Sequence, residues 1–215
     1  MHKLLLNRGF LSTLMITLTI PLAVPFLALA DGCPDLISAD CDGGTAWFGL
    51  RHDDANVAQG QTVTLDCDSA INQVEFRFRV TGNPNGGVPS MVAGDEIHLA
   101  LVDSDDLILI TATTALPADV FDDWLAFTFP GGFVVPAGVY RLSAYTLVPR
   151  NCAIHFAYGD ITNCYDGGNR VASLDGIDGP WFGYGETDIP FRVYLTPDTV
   201  ANDQHAWGSI KGLFR

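Results

Sequence analysis

Apolar and polar residues alternate with a period of two along much of this chain. From Val74 to Val80 the alternation is strict, with Val74, Phe76, Phe78 and Val80 interleaved with Glu75, Arg77 and Arg79. Successive side chains of a strand point to opposite faces, so this segment predicts a strand with one buried and one wet face. Ile97, Leu99 and Leu101 against Glu96, His98 and Ala100 repeat the pattern. So do Leu125, Phe127 and Phe129 against Trp124, Ala126 and Thr128. Further strands are expected over 140–146, 152–158 and 189–195. Leu107–Ile110 is continuously apolar, which predicts a more buried strand, paired with 95–103 across the turn Asp103-Ser104-Asp105-Asp106. Turn chemistry separates the runs: Gly82 to Gly87, Pro130-Gly131-Gly132, Pro136-Ala137-Gly138 and Asp166-Gly167-Gly168-Asn169. About eight to ten short strands without an amphipathic helix predict an all-β fold, a two-sheet antiparallel jelly-roll β-sandwich. Tyr140 is expected to tie down a corner of it.

Composition agrees with that class. The chain has 215 residues, with 25 acidic against 11 basic and 22 glycines. Lys3 and Arg8 fall before residue 31 and no acid does, so from residue 31 onward the balance is 9 − 25 = −16. Nearly all of the acid is aspartate, a turn former, and lysine is almost absent. A nucleic-acid binder that depends on a basic surface is disfavoured. With 48% hydrophobic residues, so is a disordered chain.

Residues 1–30 have a basic start, an apolar run from Phe10 to Leu29, and Ala28-x-Ala30 ahead of Asp31. These are the parts of a secretory signal peptide, and no later segment is apolar for long enough to span a bilayer. The expected division is a signal over 1–30, a disulfide-bearing segment over 31–56 that joins the sandwich, the sandwich over 57–197, and a polar linker with a short tail over 198–215. Export implies disulfides. The five cysteines suggest Cys152–Cys164, with Cys33–Cys41 or Cys41–Cys67 near the start. The odd cysteine could link copies into an oligomer.

Three stretches resemble a known module. Gly60-Gln61-Thr62-Val63-Thr64, with Cys67-Asp68 and Ile71-Asn72-Gln73-Val74-Glu75-Phe76, is similar to its opening. Trp124 to Phe129, with Ala137-Gly138-Val139-Tyr140-Arg141-Leu142, resembles its middle. Tyr165-Asp166-Gly167-Gly168, Trp181 and Asp188-Ile189-Pro190-Phe191-Arg192-Val193-Tyr194 resemble its end. The module is the jelly roll of bacterial secreted proteins of the "choice-of-anchor" type, and the likeness covers about residues 57 to 196. It implies an exported bacterial protein, free or at the cell surface, more like carbohydrate-binding and adhesion sandwiches than like enzymes. Leu195-Thr196-Pro197-Asp198-Thr199 is not a sortase box, and the tail Trp207–Arg215 has no assigned role.

For catalysis the sequence offers no Gly-x-Ser-x-Gly, His-Glu-x-x-His or P-loop motif, and His52, His98, His155 and His205 are scattered. A non-enzymatic protein is expected. Calcium would need several oxygen ligands, and Asp-rich loops supply them. The candidates are Asp40 with Asp42; Asp103 and Asp105; Asp166 and Asn169; and Asp175 and Asp178, against the alternative that aspartate simply initiates these turns. Sugar recognition needs flat aromatic faces with a few polar groups. The candidates are Trp181, Phe182 and Tyr184, with Tyr165 near them in sequence, and Trp124 on a wet strand face. The bland alternative is packing. The expected function is an exported module that binds an extracellular polysaccharide or surface glycan. A structural matrix protein is the alternative, and a secreted carbohydrate-active enzyme the third.

Overall fold

The computed structural model describes residues 33–40, 49–51, 57–80, 90–148, 153–156, 164–185 and 187–197, all within the compact unit Cys33–Arg215. The expected signal, the tail, Cys41, Asp42 and Cys152 lie outside them. The described residues form twelve strands and no helix. These are β1 (Leu36–Ala39), β2 (Gly49–Arg51), β3 (Ala58–Leu65), β4 (Ser69–Val80), β5 (Glu96–Val102) and β6 (Ile108–Ala115). They continue with β7 (Phe121–Val135), β8 (Gly138–Tyr145), β9 (Ala153–Phe156), β10 (Arg170–Ser173), β11 (Phe182–Gly183) and β12 (Phe191–Pro197).

All pairings are antiparallel and define two sheets. In sheet I, β4 lies between β7 on one side and β12 and β9 on the other; β1 pairs with β12, and β2 with β9. Sheet II runs β11-β10-β3-β8-β5-β6. This is a two-sheet all-β sandwich; jelly-roll connectivity is a finer description than these pairings make.

Alternation places the core. Val74, Phe76, Phe78 and Val80 of β4, Leu125, Phe127 and Phe129 of β7, and Phe191 and Val193 of β12 face inward and are buried. Opposite them lie Val63 and Leu65 of β3, Ile97, Leu99 and Leu101 of β5, and Tyr140, Leu142 and Ala144 of β8. Each large side chain so buried stabilises the fold by about 1.5–3 kcal/mol. The Tyr140 hydroxyl donates to the Pro136 carbonyl at 2.8 Å, and so fastens the corner between β7 and β8.

The expectation for residues 107–110 is corrected. Leu107 is 61% exposed, and β6 is the last strand of sheet II, not a buried one. A continuous apolar run does not distinguish a buried strand from a sheet edge. The N-terminal pairing also differs from both alternatives: Cys33 joins Cys67, with 6.1 Å between their Cα atoms, instead of either residue joining Cys41. The physical reason is that β1 lies along β12, which brings Cys33 to the β3–β4 turn. Cys164 is also disulfide-bonded, to a partner outside the described residues.

Sheet II departs from simple alternation on its outer face. Ala58, Ala100, Val102, Ser143 and Ser173 point away from the core, yet all are buried. The segment 174–181, between β10 and β11, comes back onto this face at Ser173 and at Arg141. Gly176 takes a positive φ of 81°, and Gly179 donates to its carbonyl at 3.3 Å, turning the segment back. A Cβ at Gly179 would fall 2.6 Å from the Ser173 hydroxyl, so the segment lies directly on the sheet.

Candidate ligand-binding cleft

The strap 174–181 and the β5–β6 turn enclose a cleft of about 320 Å³ on the outer face of sheet II. Its walls are Asp106 and Ile108 from the turn and β6, Arg141 from β8, and Ile177, Asp178 and Trp181 from the strap. Each reaches the cleft for a local reason. Arg141 alternates with Tyr140 and Leu142, both in the core, and so projects outward. A bulge pairs Val102 with Ile108 directly after Leu101 with Ile110, which turns Ile108 to the outer face. The indole N–H of Trp181 donates to the Ile177 carbonyl at 3.3 Å and fixes the ring within the strap.

Arg141 organises the site. Its guanidinium stacks over the Trp181 ring at 4.4 Å and donates to Asp106 Oδ1 at 2.6 Å. A second donor, Nε, reaches the Ser143 hydroxyl at 3.1 Å. Asp106 is held in the left-handed region, with φ of 64°, a conformation that aspartate tolerates in tight turns. Alongside, His98 stacks on Tyr145 at 5.1 Å, and its Nδ1 lies 2.8 Å from the Thr113 hydroxyl. Burial lowers the His98 pKa from 6.5, against a smaller opposing pull from Glu96. Burial raises the Tyr145 pKa, reinforced by the negative charge of Asp178.

The remaining aromatic candidates are placed elsewhere. Phe182 and Tyr184 are 48% and 40% exposed. Tyr184 stands opposite Arg170, whose guanidinium stacks on it at 4.3 Å. Trp124 lies on the outer face of sheet I under Arg192, at 3.8 Å. Tyr165 is structural: its hydroxyl accepts the Thr64 amide at 3.0 Å, and its ring packs edge-on against Phe191 at 5.1 Å. The outward aromatic and basic residues are divided between the sheets, with Trp124, Tyr194, Arg77 and Arg79 on sheet I and His98 and Tyr145 on sheet II.

The Asp-rich loops are engaged with their own surroundings. Asp103 Oδ1 accepts the amides of Asp105 and Leu107 at 2.9 Å each, which closes the turn. Asn169 accepts from and donates to Thr62, and the amide of Asp175 donates to the Ser173 hydroxyl. Asp40 pairs with Arg192. Asp166 lines a separate hollow with Tyr165, while Asp178 lines the cleft. Among the described residues no group of three or more His, Cys, Asp or Glu is placed to hold a metal ion.

Of the cleft residues, only Asp178 and Trp181 were candidates from sequence; Asp106, Ile108, Arg141 and Ile177 among the others were not. Arg141 was visible as an outward residue of a strand, but its two partners come from segments 35 and 40 positions away. One further buried group lies between β11 and β12. Asp188 accepts from Gln61 Nε2 at 2.7 Å and from the amides of Cys164 and Tyr165 at 2.9 Å each. It roots the chain that returns from β11 to β12. No protein-family model matches this chain, and no curated protein matches it.

Proposed function

We propose that the protein is an exported, non-catalytic binding module that takes a saccharide in the Trp181 cleft. The observation that supports this reading is the meeting of Trp181, Arg141, Asp106 and Asp178 in one open cleft. An aromatic surface beside a few polar groups of both charges is the usual chemistry of a small-ligand pocket, and about 320 Å³ is the volume of one or two sugar rings. The Cys33–Cys67 disulfide and the bonded state of Cys164 suit an oxidising compartment outside the cytoplasm. Among the described residues, no helix is long and apolar enough to cross a membrane. The likeness to choice-of-anchor modules points to the same setting.

The enzyme reading has one observation in its favour, since Asp106 and Asp178 line the same cleft. Both are exposed, and Asp106 is paired with Arg141. A general acid is instead held in apolar surroundings. Pull-down on insoluble polysaccharides and a glycan array test the binding reading. Retention of the protein on at least one glycan, reduced about 30-fold or more by Trp181→Ala, is the expected result. No retention on any glycan, or retention indifferent to Trp181→Ala, overturns it. Release of reducing sugar that stops with Asp178→Asn would restore the enzyme.

A further inference from the structure

Acid and base are unequal around the Trp181 cleft. The two segments that form its walls, 103–108 and 174–181, hold Asp103, Asp105, Asp106, Asp175 and Asp178 and no basic residue. Among the described residues that line it, Arg141 is the only base, against Asp106 and Asp178. Two of its donors are already engaged. Nη1 donates to Asp106 and Nε to the Ser143 hydroxyl, while the guanidinium lies over the Trp181 ring. Asp178 is exposed, and among the described residues its carboxylate has no hydrogen bond or ion pair.

We propose, resting on the saccharide reading of this cleft, that it takes uncharged sugars and rejects uronates and sulfated sugars, with Asp106 setting the choice. An ionised carboxylate only accepts hydrogen bonds. Sugar hydroxyls donate to Asp178 and to the second oxygen of Asp106. A uronate or sulfate brings one more acceptor and a like charge to the same walls. At separations below the Debye length, about 8 Å at physiological salt, that repulsion is not screened out. With 25 acidic and 11 basic residues, the whole chain adds to it at longer range. Asp106 decides because it occupies Arg141, the lining group whose planar fork suits a ligand anion.

The choice can be altered without disturbing the turn, since asparagine also tolerates the left-handed φ of 64° at position 106. A glycan array carrying neutral, uronate and sulfated glycans, read with wild type and variants, tests this. Every wild-type ligand that Trp181→Ala loses should be uncharged. Asp106→Asn, which frees Arg141, should raise retention on uronates about 10-fold, and adding Arg141→Gln should abolish that gain. An anionic wild-type ligand that is lost with Trp181→Ala keeps the cleft and overturns the selectivity. So does an Asp106→Asn protein without the gain, or a gain that survives Arg141→Gln. No retention on any glycan, or retention indifferent to Trp181→Ala, removes the cleft itself and this proposal with it.

Discussion

The two outer faces of the sandwich treat their aromatic residues in opposite ways. On sheet I the face is closed by its own charges. Arg192 covers Trp124 and pairs with Asp40 at 3.1 Å and Glu75 at 3.7 Å. Tyr194 and Gln73 donate to Glu75, while Arg77 and Arg79 both reach Asp122. The charged groups named here are all partnered with one another. On sheet II an arginine also stacks on a tryptophan, but the ring belongs to a connection whose Ile177, Asp178 and Trp181 wall a cleft. The same pairing of arginine with indole thus closes one face and builds a wall on the other. What separates them is where the tryptophan comes from: a strand in β7, or a connection between β10 and β11.

That contrast can be broken at its supports. Asp188→Ala should have the largest effect, a loss of about 3 kcal/mol in urea unfolding, because it removes the carboxylate that accepts from the buried Gln61 amide and from two part-buried backbone N–H groups. It removes the footing of the chain beyond β11, so loosening of sheet II should exceed that of sheet I in hydrogen exchange.

Gly60→Ala comes next. Its added methyl would collide with the Leu142 carbonyl of the neighbouring strand β8, and small-to-large changes in packed sites cost about 1–3 kcal/mol. A fully stable Gly60→Ala protein would show that β3 and β8 can shift apart here to take a side chain.

Sheet I should respond more gently. Asp122→Ala removes two partly exposed ion pairs, each worth about 0.2–1 kcal/mol, and the loss should shrink as salt rises. A large, salt-independent effect would mean that the lattice does more than satisfy its charges.

The smallest expected effect is on pH. Burial lowers the His98 pKa below 6.5, so the unfolded chain takes the proton first. Stability from this group is complete above pH 6.5 and declines as pH falls through the folded value. His98→Gln should flatten that decline in thermal melts at pH 7 and pH 5. An unchanged profile would place the titration elsewhere.

The strands were legible because each buried set repeats every second residue, as in Val74–Val80 and Leu125–Phe129. The tyrosine corner was legible because its partner lies only four residues upstream. What escaped is what depends on distant chain. Nothing local shows that Ala100 and Ser143, outward by alternation, are fully buried, nor that a segment more than 30 residues beyond Ser143 returns to their face of the sheet. Nor does the run Leu107–Ile110 reveal that it sits at an edge, since that follows from the order of the other five strands. Cys33 found Cys67 instead of Cys41 because sheet pairing, not sequence proximity, decides which thiols meet. Among the aromatic candidates, composition named Trp181 and Trp124 alike, and only their placement separates them.

The most direct measurement follows from that separation. The chain contains four tryptophans, Trp47, Trp124, Trp181 and Trp207, so its indole N–H signals can be resolved and assigned by substitution in two-dimensional NMR. Titration with an oligosaccharide from a polymer that retains the protein should shift the Trp181 signal and leave Trp124 in place. A shift of Trp124 with Trp181 unmoved would contradict the account and transfer the site to sheet I.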